Sequence, residues 1–230
     1  MIAFATLLER LLFTQGRSDK IRLLAQYFAI QPDPDRGIAL AAIAGDLRFT
    51  AAKAGLIRDL ANARTDPILF ALSYDFVGDL AETVALIWPE SPTNAAPPSL
   101  PELVEALNLT PKARLPDLVA GWLDACDAGS RLALLKLITG GLRVGATGRL
   151  ARVALAAFSQ GRATPDDIEE VWYSLAPPYA DLFAWLEGRA ARPDPATAPV
   201  FRPPMLAHPL EPADFAALNP TSIRRAVWRG

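Results

Sequence analysis

The stretch from Leu134 to Leu155, LLKLITGGLRVGATGRLARVAL, combines glycines with cationic side chains and contains no carboxylate. Glycine lets a backbone approach a ligand closely, and the guanidinium group of arginine can bind two phosphate oxygens at once. Free amides at a helix N-terminus also bind phosphate. Together these features predict a surface for a phosphate-bearing partner. Its candidate residues are Lys136, Gly140, Gly141, Arg143, Gly145, Thr147, Arg149 and Arg152.

The charge distribution along the chain supports a local rather than a general affinity for anions. No acidic residue occurs between Asp127 and Asp166, whereas six cations do: Arg131, Lys136, Arg143, Arg149, Arg152 and Arg162. Because the whole chain carries −2, the remainder carries −8. This excess of acid excludes a general attraction to nucleic acid or to anionic membranes. On charge alone, arginines that merely solvate an exposed helix face are an equally good explanation.

The elements around this stretch decide how its residues would be presented. SRLALLKLITGG has the pattern of a helix that a glycine pair ends, LRVGATG that of a tight loop, and RLARVALAAF that of a second helix with Thr147 at its N-cap. A nucleotide-binding P-loop is excluded, because it needs a lysine followed by Ser or Thr after the glycines and a strand before them. A polyanion backbone fits better, and such contacts position a protein on nucleic acid without reading sequence.

The rest of the chain has the apolar spacing of helices, and strand-like alternation is scarce. We therefore predict an all-α fold of about ten helices in two halves, separated by the proline-rich run Trp88 to Pro101. From Arg192 onward the chain is again proline-dense and reads as an extended tail, so we place a helical domain at residues 1–190 and the tail at 191–230. Predicted helix starts are Ser18, Thr50, Asp66, Ser99, Thr147, Thr164 and Pro178.

Composition points to the cytoplasm. The chain has a single cysteine, Cys126, no run of about 18 uncharged apolar residues and no secretory signal pattern at its start. Cys126 lies between two aspartates, which should raise its pKa and make it a poor nucleophile. The only histidine, His208, lies in the proline-rich tail. We predict no metal site and no catalytic residue, and we expect a monomer.

Three separated motifs resemble the N-terminal helical DNA-binding domain of bacterial ATP-dependent DNA ligases. LLKLITGGLRVGATGRLARVAL is similar to the family's segment in which an LRIG-like loop between two helices meets the DNA backbone. LSYDFVGDLAETVAL, Leu72 to Leu86, resembles its GDLGE-type helix, and FRPPMLAHPLEP resembles the P-x-x-PMLA entry into the nucleotidyltransferase domain. The likeness extends to about residue 212, and the motifs occur in the family's order.

The resemblance implies a domain that grips nicked duplex DNA through backbone and minor-groove contacts during repair, recombination or replication. It also implies ATP and Mg²⁺ for a complete ligase, whose lysine in a K-x-D-G motif takes AMP from ATP. This chain departs from the family there, because its lysines are 20, 53, 112 and 136 and none begins K-x-D-G. We therefore expect a truncated or frame-altered ligase that is inactive alone and binds no cofactor.

Two alternatives concern other parts of the chain. Arg17, Lys20 and Arg22 could extend the phosphate surface, although Asp19 and simple solvation weigh against this. The protein could also be a helical interaction scaffold with no nucleic-acid role, its basic loop merely solvated. Binding of nicked duplex that ignores sequence and weakens steeply with salt would distinguish DNA binding from a scaffold.

Overall fold

A computed structural model describes residues 1–91, 93 and 95–195, and within these residues every regular element is a helix. The prediction of an all-α fold is thus confirmed, with twelve α-helices in the described residues. Their bounds are α1 Ile2–Phe13, α2 Arg17–Ile30, α3 Asp35–Ala44, α4 Ala54–Arg64, α5 Pro67–Val77, α6 Leu80–Ile87, α7 Leu100–Leu109, α8 Leu115–Ala125, α9 Ala128–Thr139, α10 Gly148–Phe158, α11 Pro165–Trp172 and α12 Ala180–Leu186. A short 3₁₀ turn, Lys112–Arg114, precedes α8.

Four of the predicted helix starts are confirmed by their capping hydrogen bonds. The Asp66 carboxylate accepts from the first amides of α5, and the Thr147 hydroxyl accepts from the third amide of α10. Ser99 and Thr164 each form a reciprocal capping box with the acidic side chain three residues later. These side chains satisfy amides that a helix cannot pair internally, which is why local sequence reveals them.

Three other predicted starts are wrong. Helix α2 begins at Arg17, before Ser18, with extended Gly16 at its N-cap. Helix α4 begins at Ala54 rather than after Thr50, and Ala52 in the intervening chain is buried in the core. Helix α12 begins at Ala180, two residues beyond the predicted Pro178.

Two central helices hold the core together. Helix α9 packs against α1, α4, α6 and α8, and five of its apolar side chains are buried. Helix α10 packs against α2, α3, α11 and α12. Because both helices are held by several neighbours, the segment that joins them, residues 140–147, is fixed at both ends.

The proline-rich tail falls mostly outside the described residues, which end at 195. The PMLA motif and His208 therefore lie outside the described residues. Residue 190, where the domain boundary is predicted, is described and lies four residues after the end of α12, and the boundary itself stays a prediction. Among the helices that are described, none has both the length and the apolar character needed to cross a membrane.

Candidate nucleic-acid interface

The glycine-rich segment has the predicted arrangement of helix, loop and helix. Helix α9 ends at Thr139 and is capped by Gly140, whose backbone is left-handed with φ of 73°. The N–H of Gly141 donates to the Lys136 carbonyl at 3.2 Å, which closes the last turn of α9. Thr147 then begins α10 through its hydroxyl, which accepts from the Leu150 N–H at 3.3 Å. The loop therefore starts and stops at defined hydrogen bonds.

Inside the loop, residues with positive φ flank one buried side chain. Arg143 has φ of 43° and Gly145 φ of 66°, while Val144 between them is buried. The Lys20 ammonium donates to the Val144 carbonyl at 2.9 Å, although the two residues lie 124 positions apart. A Cβ on Gly145 would lie only 2.2 Å from the same Lys20 Nζ. Glycine at 145 thus suits both the backbone conformation and the contact with α2.

Gly141 has a different environment. Its φ lies outside the left-handed region, and a Cβ there would have only the Thr139 hydroxyl nearby, at 4.0 Å. The fold therefore does not demand glycine at 141. Any requirement for it would come from a ligand that approaches the loop.

The packing of α2 on α10 brings the first turns of both helices to one cleft. This cleft has a volume of about 330 Å³ and is lined by Arg17, Thr147, Arg149 and Leu150. Arg17, Arg143 and Arg149 are exposed and form no ion pair with any described residue. Arg143 does not line this cleft but precedes Val144, whose carbonyl accepts from Lys20. We call Arg17, Lys20, Arg143 and Arg149 the basic cluster. Arg17 and Lys20 of α2 were predicted from the sequence only as a possible extension of the phosphate surface.

Lys136, a predicted site residue, has an internal role instead. Its ammonium donates to the Asp79 carboxylate at 2.8 Å and to the Glu82 carboxylate at 2.9 Å. Burial lowers the pKa of Lys136, but the two carboxylates outweigh burial and leave that pKa raised. Burial likewise raises the pKa of Asp79, but hydrogen bonds from Lys136 and from backbone amides reverse this and lower it. The charge of Lys136 is thus neutralised within the protein.

Arg152 is also held internally. Its guanidinium contacts the Glu169 carboxylate and lies over the Trp172 ring, 5.2 Å from the centroid, and its side chain is only 17% exposed. Arg131 is buried and donates to the carbonyls of Leu123, Ala85 and Cys126. Half of the cations in the acid-free interval therefore support the fold.

Two further cations near the surface are partnered as well. Arg22 pairs with Asp19 at 2.8 Å, so it does not join the basic cluster. Arg162 donates to the Ser159 carbonyl at 3.1 Å and does not line the cleft between α2 and α10. The charge available to a ligand is consequently carried by fewer residues than the sequence count suggests.

Other chemistry at the described residues is sparse. Cys126 is buried, and burial, with a further contribution from Asp127 against Arg131, raises its pKa to about 11. The direction matches the sequence-based prediction, but burial rather than the aspartates is the main cause. Within the described residues, no three His, Cys, Asp or Glu side chains are grouped to hold a metal ion.

Comparison with known proteins adds no assignment. No family model matches the chain, and no curated protein matches it at a significant level.

Proposed function

We propose that the protein binds duplex DNA through its sugar–phosphate backbone, in the manner of the DNA-binding domain of an ATP-dependent DNA ligase. The observation that carries this proposal is the basic cluster, in which Arg17 of α2 and Arg149 of α10 line one cleft and Lys20 of α2 donates to the loop carbonyl of Val144, the residue after Arg143. These residues come from chain segments more than 100 positions apart, so the cluster is not a chance run of sequence.

The chemistry of the basic cluster suits phosphate. Three exposed guanidinium groups, which pair with no carboxylate among the described residues, can each form paired hydrogen bonds to phosphate oxygens. The cleft between Arg17 and Arg149 lies at the first turns of two helices, where backbone amides favour anions. Lys20 holds the loop carbonyl of Val144, which keeps Arg143 and Gly145 in place before any ligand arrives.

The same residues argue for binding that ignores sequence. The basic cluster contains no Asn or Gln, the side chains that typically pair with adenine, and its arginines come from two helices and a loop rather than from one helix. Backbone contacts of this type orient a protein on duplex without reading bases. A nick can occur at any sequence, so this mode of binding is consistent with the resemblance to ligases.

The proposed role of the described residues is DNA binding. ATP and Mg²⁺ would serve a nucleotidyltransferase domain with a K-x-D-G lysine, and none of the four lysines of this chain lies in that motif. We therefore propose nicked double-stranded DNA as the partner, in the cytoplasm at the nucleoid, with the residues of the basic cluster and Gly145 in contact with it.

Fluorescence anisotropy with the full chain tests the proposal. Three labelled nicked duplexes of unrelated sequence should bind with the same affinity at low salt, and unlabelled duplex of any sequence should compete. An Arg17→Ala/Arg149→Ala variant should weaken all three equally, because phosphate contacts are common to every sequence. Absence of binding to any duplex at low salt would reject DNA binding and leave a helical interaction scaffold as the better hypothesis.

A further inference from the structure

One group of charges ties the last turn of α9, where the glycine-rich loop starts, to the first turn of α6. Lys136 lies in the last turn of α9, and its ammonium donates to the carboxylates of Asp79 and Glu82 at 2.8 and 2.9 Å. Asp79 is also the N-cap of α6, because its other carboxylate oxygen accepts from the Glu82 N–H at 3.0 Å. We call these three residues the charged triad. Through Asp79, it joins the start of one helix to the end of another.

The loop, residues 140–147, is held from two sides that belong to different groups of helices. On one side the Gly141 N–H donates to the carbonyl of Lys136, the residue whose side chain belongs to the charged triad. On the other side Lys20 of α2 donates to a loop carbonyl, and Thr147 begins α10. Helix α9 packs mainly against α1, α4, α6 and α8, whereas α10 packs mainly against α2, α3, α11 and α12. The path of the loop therefore depends on how the end of α9 is held.

The charged triad also lies near the loop arginine. Its three side chains line the same cavity of about 750 Å³ as Leu142 and Arg143. Burial acts to lower the pKa of Lys136, but its two carboxylate partners outweigh burial, so the ammonium stays charged. The Lys136 side chain is only 9% exposed and presents little surface to a ligand. An effect of Lys136 on DNA binding would thus act through the loop rather than by contact.

We propose that Lys136 is a positioning residue for DNA binding: through Asp79 and Glu82 it fixes the last turn of α9, and thereby the direction in which Arg143 meets a phosphate. The inference rests on the proposed function. Arg143 has φ of 43°, and a residue other than glycine keeps such a backbone conformation only where the surrounding structure holds it. Without the charged triad the loop can relax, and Arg143 should lose its phosphate.

The test measures how nicked-duplex binding by the full chain depends on salt. Each neutralised phosphate contributes about −0.9 to the slope of log affinity against log salt, so Lys136→Met should flatten the slope from about −3.6 to about −2.7. Adding Arg143→Ala should change the slope no further, because the same contact is already lost. Adding Arg17→Ala instead should flatten it to about −1.8, because Arg17 lines a cleft that Arg143 does not line.

Arg131→Met is the matched control, because Arg131 is a buried cation in the first turn of the same helix, at the end remote from the loop. It should destabilise the fold and keep the parent slope. Should Lys136→Met not melt cooperatively, Lys136→Gln, which keeps a neutral donor, serves for the same comparison. The parent slope in the Lys136 variant, equal flattening in Arg131→Met, or further flattening on adding Arg143→Ala would overturn the proposal.

Amide hydrogen exchange without DNA separates this inference from the proposed function. The Gly141 N–H should exchange about tenfold or more faster in Lys136→Met than in the parent, because the last turn of α9 opens locally, and Arg131→Met should match the parent. If the parent binds no duplex, the proposed function is wrong, and this exchange still tests whether the charged triad holds the loop. Unchanged exchange in Lys136→Met would overturn the inference even where the parent binds duplex.

Discussion

Replacing the three arginines of the basic cluster, Arg17, Arg143 and Arg149, by alanine should change how DNA binding depends on salt. Each neutralised phosphate contributes about −0.9 to the slope of log affinity against log salt. The four cations of the basic cluster correspond to a slope of about −3.6, so the affinity of the parent should fall about 150-fold between about 50 and 200 mM salt. With only Lys20 left, the slope should be about −0.9 and the fall about 3.5-fold.

The assay is an anisotropy titration of one nicked duplex at four salt concentrations. Arg114→Ala is the matched control, because Arg114 is an exposed arginine that does not line the cleft of the basic cluster. Arg152→Ala is the second control: it should lower the melting temperature through the loss of its contacts with Glu169 and Trp172, and leave the slope unchanged. If the triple variant keeps the parent slope, or if Arg114→Ala flattens it equally, the basic cluster is not the DNA contact.

Four further predictions concern the backbone, the core and catalysis. Gly145→Val should lower the stability of the fold by about 2 kcal/mol, because a β-branched residue is strained at positive φ, and it should also weaken DNA binding. Gly141→Ala should leave thermal stability unchanged. Arg131→Met should destabilise the protein by about 3 kcal/mol in urea unfolding, since three buried carbonyls lose their donor. Burial raises the pKa of the Cys126 thiol from 9.0 to about 11, so the un-ionised thiol contributes stability that is fully present below pH 9 and is lost as the pH rises through 11. The protein should lose about 1 kcal/mol of stability by pH 10 from this cause, and Cys126→Ala should remove that loss. Incubation with α-labelled ATP and Mg²⁺ should leave the chain unlabelled on a denaturing gel, because no lysine lies in a K-x-D-G motif and the pKa of Lys136 is raised.

Each of these has a result that would refute its reasoning. Gly145→Val with the affinity and melting temperature of the parent would remove the requirement for glycine. An Arg131→Met variant as stable as the parent would mean that water or neighbouring groups replace the lost donors. Pseudo-first-order alkylation of Cys126 at pH 8 without unfolding would contradict a buried, un-ionised thiol. A labelled band from the chain alone would reveal a catalytic site.

Local chemistry explains which parts of the fold could be predicted. Caps such as Asp66, Ser99 and Thr164 bond to amides two or three residues away, so the sequence window contains the whole interaction. The start of α4 at Ala54 has no such signal: its N-cap, Lys53, makes no side-chain capping hydrogen bond, and the burial of Ala52 before it is not visible in a local sequence window.

The candidate site depended more on distant contacts. Lys136 is paired with carboxylates 54 and 57 positions away, and no local pattern reveals such partners. Lys20 reaches the loop only because α2 packs on α10. Residue type indicated which side chains could bind phosphate, whereas packing determined which of them remain exposed.

The spacing of the apolar residues of α5 was visible in the sequence but ambiguous. Ile68, Leu72 and Phe76 would produce the same pattern if they faced the core. Helical periodicity identifies an apolar face without saying what covers it.

The meeting of the first turns of α2 and α10 at one cleft has an electrostatic consequence that is independent of side chains. Aligned peptide dipoles place about half a positive charge at each helix N-terminus. Two such ends beside Arg17 and Arg149 add a positive potential that belongs to the backbone. This potential does not titrate, and neither substitution nor chemical modification of arginine removes it. An anion should therefore retain a weak preference for this cleft even when every cation around it has been neutralised.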